Sequence, residues 1–243
     1  MTSNLVQESL AELHTRRNPD HPFFLAIILL IVAAVLIGFA NTYFLAGMFR
    51  AKLPSLLVHL HGAAFSGWIA LLTTQVLLVS AKKVRWHMGL GVVGVFLAPL
   101  MIVLGFATMF AAIRRNFVSM EEMRIILVVN TITLLLFGFL VLWAFLARHD
   151  PTSHKRLMIL ATLSILGPAI DRWPFRFMGS ALAFFLVLNS FFVLLAVYDL
   201  WTRRSLHRTT VWGLCLTAAW QIIYSPIAHS RLVDHAISWL QRA

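Results

Sequence analysis

Charge is scarce in this chain, and negative charge is scarcest. Only 12% of its 243 residues are Asp, Glu, Lys or Arg, and nine of them are acidic. Soluble domains carry roughly 25% charged residues. With 60% of the chain hydrophobic and a mean hydropathy of +0.85, there is too little polar surface to face water, so the solvent must be a bilayer. Cysteine is nearly absent. The single Cys215 lies in an apolar run, which excludes an internal disulfide and any Cys-rich metal or iron–sulfur centre. No secretory signal is expected, because Glu8 and Glu12 precede a first apolar run too long for a signal core. A nucleotide loop is also lacking. Gly89-x-Gly91-x-x-Gly94 spells a dinucleotide fingerprint, but it follows a basic loop inside an apolar run rather than a strand. The formal charge of +11 sits in short clusters between apolar runs. Such clusters anchor a protein at anionic headgroups, so the expected partners are membrane lipids and other subunits of a membrane complex, not nucleic acid.

What the chain does have is a series of apolar runs. They cover 22–47, 53–80, 88–113, 122–147, 154–173, 177–201 and 209–228. Each is close to or above the ~20 residues that cross the hydrocarbon as a helix. The expected fold class is therefore all-α, a polytopic membrane helical bundle. It has an N-terminal surface segment over 1–21, a seven-helix transmembrane domain over 22–229, and a C-terminal amphipathic surface helix over 230–243. Residues 3–17 and the tail, with Leu232, Val233, Ala236, Ile237 and Leu240 on one face, read as helices lying on the membrane. The connections are too short for a soluble domain. Ser119-x-x-Glu122 is a capping-box pattern, and Pro151-Thr-Ser153 supplies capping hydroxyls. Pro168 kinks the fifth span and Pro174 ends it. Slightly more than half of the 20 Lys and Arg fall on the side of the N-terminus, which favours a cytoplasmic N-terminus.

Polar residues inside spans are costly and so are candidates for function. Asn41, His59, His61, Asn130, Asp171, Arg172, Gln221 and Tyr224 all fall at a similar depth in one leaflet. Ser55, His59, Gly62, Ser66 and Thr73 form one small, polar stripe, which predicts that His59 points into the bundle. His61 lies about 200° round the helix from His59, beside Phe65 and Trp68. At the other face His87, His154 and His207 each open a span beside basic residues. A membrane histidine also serves as a plain hydrogen-bonded link between helices, and an interfacial one as a headgroup contact. Asp199 and Arg203 have the i, i+4 spacing of an ordinary helix pair, and Asp171–Arg172 that of an interfacial ion pair.

Five motifs together resemble an uncharacterised family of bacterial seven-span inner-membrane proteins. They are His59-x-His61-Gly62, His87-x-x-Leu-Gly91, His154-Lys-Arg-Leu-Met158, Asp171-x-Trp-Pro174 and Tyr198-Asp-Leu-x-Thr-Arg-Arg204-x-Leu-His207. The resemblance spans about residues 25–230 and implies a multi-pass protein of the bacterial inner membrane, without implying an activity. More loosely, histidines at opposite ends of several spans are similar in pattern to the di-haem b-type membrane cytochromes. Ser55-x-x-x-His59 is similar to the zinc-dependent seven-span hydrolases of the ceramidase type. The third span, however, lacks their Asp, and the seventh offers only His229 in place of HxxxH.

The first expectation is a haem- or metal-binding membrane protein with a redox role, its cofactor haem b or a transition metal. His59, His61, His87, His154 and His207 are the candidate cofactor ligands, and His59, His61 and Asp171 the candidate metal ligands. Asn130, Arg172, Gln221 and Tyr224 would orient them. The alternatives are a lipid-active zinc hydrolase and a non-catalytic accessory subunit of a membrane complex.

Overall fold

The computed structural model describes residues 20–45, 55–116 and 118–242, apart from the side chain of Phe177. The expected helix over 3–17 and the basic pair Arg50 and Lys52 lie outside the described residues. Among the described residues every regular element is helical. Helix α1 is Asp20–Phe39, continued by a π-helical turn over Ala40–Phe44. Then come α2 Leu56–Ser80, α3 Val84–Arg115, α4 Met120–Leu146, α5 Pro151–Ser164 and α6 Gly167–Asp171. A 3₁₀ turn over Arg176–Gly179 leads into α7 Ala181–Arg203, α8 Arg208–Ala228 and α9 Arg231–Arg242.

Six of these are long and apolar enough to cross a membrane: Asp20–Phe44, α2, α3, α4, α7 and α8. The count differs from the expected seven because the fifth span is broken. Pro168 lacks an N–H, and its ring excludes the carbonyl four residues back, that of Ser164. The helix stops at Ser164 and restarts at Gly167. At 14 residues α5 is about 21 Å long, short of the ~30 Å hydrocarbon layer.

The short helix is the centre of the bundle. Leu157, Ile159, Leu160, Ala161 and Leu163 are buried, and α5 packs against α4, α7 and α8. Trp68 of α2 donates its indole N–H to the Thr162 hydroxyl at 3.1 Å, which anchors α2 to the same core. α6 lies on α1 at Gly38, where a Cβ would collide with the Ala169 carbonyl, so only glycine permits this approach. The outer surface is apolar, as lipid requires: Phe96, Leu182 and Ile222 are 74%, 69% and 73% exposed.

The capping box and the Pro168 break stand as the sequence writes them, and the cap of α5 differs. Ser119 and Glu122 form the full capping box that opens α4. The cap of α5, however, is Asp150. Its carboxylate accepts from the backbone N–H of Thr152 and Ser153, and their hydroxyls also donate to it rather than capping the helix themselves. Those hydrogen bonds, Ser153 first and Thr152 second, hold the Asp150 carboxyl well below the usual carboxylate range. The tail forms the amphipathic helix α9, and part of its apolar face packs on the bundle while Leu232 and Trp239 stay exposed. Val233, Ile237 and Leu240 are buried against Met109 and Ile113 of α3 and Met123 of α4. Arg124 clips α9 down through a 2.8 Å hydrogen bond from Nε to Asp234.

Candidate functional site

The polar residues of the His59 end do not meet in one pocket. His59 is exposed; its carbonyl accepts from the Tyr43 hydroxyl at 3.2 Å, and the two rings lie 5.8 Å apart. Tyr43 occupies the place that a side chain at Gly62 would need, 2.5 Å from a Cβ there, so the small stripe receives Tyr43. His61 is half-buried on a different face, stacked at 4.2 Å on Phe65, with the Thr108 hydroxyl of α3 3.4 Å from its Nδ1. Asp171 is exposed, and Arg172 turns from it to donate to the Pro168 carbonyl at 2.6 Å and to cover the Phe39 ring at 5.2 Å. Asn130 is half-buried, and its backbone carbonyl accepts from the Thr133 hydroxyl. Gln221 exchanges two amide hydrogen bonds with Asn189 of α7, at 3.0 and 3.1 Å. Tyr224 packs 6.2 Å from both Phe185 and Trp220. Matched depth therefore yields separate links between neighbouring elements, Tyr43–His59, Thr108–His61 and Asn189–Gln221, rather than one shared pocket.

Convergence happens at the opposite end, and its hub is the first turn of α5. Three consecutive side chains leave that turn in three directions. His154 uses Nδ1 on the Ala144 carbonyl of α4 at 2.8 Å. Lys155 pairs with Asp20 at the start of α1, which also accepts from the Tyr198 hydroxyl of α7. Arg156 donates through Nε to Asp199 of α7 at 2.8 Å, in an ion pair only 2% and 0% exposed. The other oxygen of Asp199 accepts from the Thr210 hydroxyl at 2.6 Å and from the backbone N–H of His207 at 3.0 Å, both at the start of α8. Arg156 also donates to the Thr152 carbonyl at 2.9 Å. Every donor and acceptor of the pair that these contacts reach is answered, which a buried ion pair requires if it is not to cost stability. Asp199 thus binds across helices to Arg156, not along its own helix to Arg203. The shorter route loses because Arg156 is presented from the dry core, where a charge is worth most to its partner.

His207 caps α8. Its Nδ1 accepts from the Thr209 N–H at 3.3 Å. Burial holds its imidazole below the ordinary value of 6.5, and the nearby Arg156 and Arg203 charges push the same way. His87, the fourth residue of α3, comes beside His154, the fourth residue of α5: the two rings are 6.2 Å apart between centres and perpendicular. His87 Nδ1 is buried without a hydrogen-bond partner.

His87 and His154 are the two side chains at this end that could hold a cofactor metal between them. With Nδ1 of His154 donating to a carbonyl, its Nε2 keeps a lone pair, the arrangement that orients a ligating histidine. Among the described residues no three His, Cys, Asp or Glu side chains gather closely enough to hold a metal ion between them. A haem iron needs only two protein ligands; a structural or catalytic zinc ion needs three or four. Sequence reasoning named His87, His154 and His207 but missed Asp20, Lys155, Arg156, Tyr198, Asp199 and Thr210 as their surroundings. The available signal was that His154-Lys-Arg156, Tyr198-Asp199 and His207 each place polar residues within about two turns of one membrane face. Comparison of the chain with protein-family models, with curated proteins and with solved structures finds no match.

Proposed function

We propose that this multi-pass membrane protein binds a haem through His87 and His154 and serves a redox role in the membrane. The observation that carries the reading is the orthogonal imidazole pair 6.2 Å apart, with one ring nitrogen buried and unpartnered and the other ring oriented by a carbonyl. When bound, the group would supply one-electron chemistry. The chain's own residues fix the ligand geometry: Ala144 sets the tautomer of His154, while Arg156, Asp199 and Thr210 lock the α5 turn that carries it. His59 and His61, on different faces, stand outside this pair. The test is the absorption spectrum and elemental composition of the purified full chain from haem-sufficient cells. A Soret band with about one iron per chain is expected, lost in His154→Ala and His87→Ala and kept in His59→Ala. Protein without a Soret band and without stoichiometric iron would end the proposal.

A further inference from the structure

Part of the polar lining near His87 answers to nothing in the fold. Four buried side-chain nitrogen or oxygen atoms among the described residues lack a hydrogen-bond partner, and three belong to the α2–α3 hairpin: Gln75 Oε1, Ser80 Oγ and His87 Nδ1. Buried polar atoms are nearly always satisfied by protein or ordered water, so three such atoms on one hairpin leave it with hydrogen-bonding capacity that the fold does not use. The Gln75 amide lies 3.5 Å from where a Cβ of Gly91 would stand, so it sits one helical turn from His87 on α3. Ser80 ends α2, the turn that follows carries Lys82 and Lys83, and Arg85 is the second residue of α3. All three are exposed, and among the described residues none is in an ion pair with an acidic side chain.

Basic residues at a membrane face ordinarily meet headgroups. Here they also crown the helix that carries a candidate axial ligand. His87 and His154 are each the fourth residue of their helix, about 4–5 Å from its first residue. A porphyrin held at that depth carries two ionised carboxylates, which the hydrocarbon disfavours and which must therefore turn to the interface. At the α2–α3 end of that interface the donors on offer are the Ser80 hydroxyl and the three cations. We infer that the α2–α3 hairpin end receives the carboxylates of the porphyrin, with Lys82, Lys83 and Arg85 as charge partners and Ser80 as hydrogen-bond donor. This inference rests on the haem reading above.

The experiment separates the two. The purified full chain, stripped of haem and held in uncharged detergent, is titrated with iron protoporphyrin and with its dimethyl ester, following the Soret band. The free diacid is expected to bind about tenfold more tightly than the ester, an advantage that shrinks as salt rises. In the triple variant Lys82→Gln, Lys83→Gln, Arg85→Gln that advantage disappears while ester binding stays as in the parent, which also shows that the variant is folded. Equal affinity for diacid and ester in the parent overturns the inference but leaves the imidazole pair standing. A diacid preference that survives in the triple variant does the same. If neither porphyrin shifts its Soret band, the imidazole reading falls and this inference falls with it.

Discussion

The two ends of the bundle hold similar inventories of polar side chains and use them in opposite ways. At the His59 end, Tyr43 meets His59, Thr108 meets His61, Asn189 meets Gln221 and Arg172 meets its own helix. Each link joins two groups and stops. At the His154 end, one turn of one helix connects α4, α1, α7 and the start of α8. The difference lies in the helix that carries the residues. A full span faces lipid along much of its length and can spare only one stripe for partners. α5 is short and enclosed, so consecutive residues all find protein.

That contrast is broken most sharply at Arg156. Arg156→Ala leaves Asp199 buried, charged and short of its main partner, which should cost about 3–5 kcal/mol of stability. Arg172→Ala at the other end removes an exposed side chain and should stay within about 0.5 kcal/mol. Denaturant unfolding in detergent micelles compares them directly. The double variant Arg156→Met, Asp199→Leu removes both charges and should recover most of the loss. Equal, small effects for Arg156→Ala and Arg172→Ala would erase the distinction between the two ends.

Much of the architecture was legible because bilayer thickness dictates it. Six of the seven apolar runs form helices long enough to span, and the Ser119–Glu122 box and the Pro168 break follow from local chemistry. The convergence was not legible, because depth along a helix says nothing of its rotation. His59 was placed on a small-residue stripe, which does face a neighbour, but the neighbour is the Tyr43 ring and the imidazole stays exposed. Asp199 could be assigned to Arg203 from spacing alone, since the competitor, Arg156, is 43 positions away in the chain. Long-range pairing of that kind leaves no period in a sequence.

A smaller effect tests the tight approach on which α5 and α6 depend. Gly38→Ala drives a methyl group into the Ala169 carbonyl, a backbone atom that cannot turn aside. Overpacking of this kind costs typically about 1–3 kcal/mol. Gly89→Ala, where nothing lies within 4 Å, meets no clash, so it should carry only the helix-propensity gain of up to about 1 kcal/mol and serves as the control. Smaller again is the amide pair of the His59 end. Gln221→Leu should lose about 0.6 kcal/mol, the mean for a hydrogen bond between membrane helices. A double-mutant cycle with Asn189→Leu reads the coupling itself. A coupling of several kcal/mol would mean that this end, too, holds a network.

The finest test is the pH response of His207, because it reports whether the networked end is tuned as a unit. Its folded imidazole resists protonation, first because it is buried and then because Arg156 and Arg203 stand near. The unfolded ring titrates near 6.5. Above that pH both states are neutral and the contribution to stability is complete. As pH falls below ~6.5 the unfolded chain binds a proton that the folded chain refuses, so stability declines until the lowered folded value is reached and then levels off. His207→Asn keeps an acceptor at the head of α8 and removes the titration. The stability difference between parent and variant, followed from pH 7.5 to 5 by denaturant unfolding, should therefore change in the variant's favour on the acid side. In Arg156→Met, Asp199→Leu the slope should change little, since the repelling guanidinium and the attracting Asp199 carboxylate leave together while burial, the first cause, remains. A parent and a His207→Asn variant with parallel pH profiles would show that His207 titrates as a surface residue, uncoupled from the ion pair beside it.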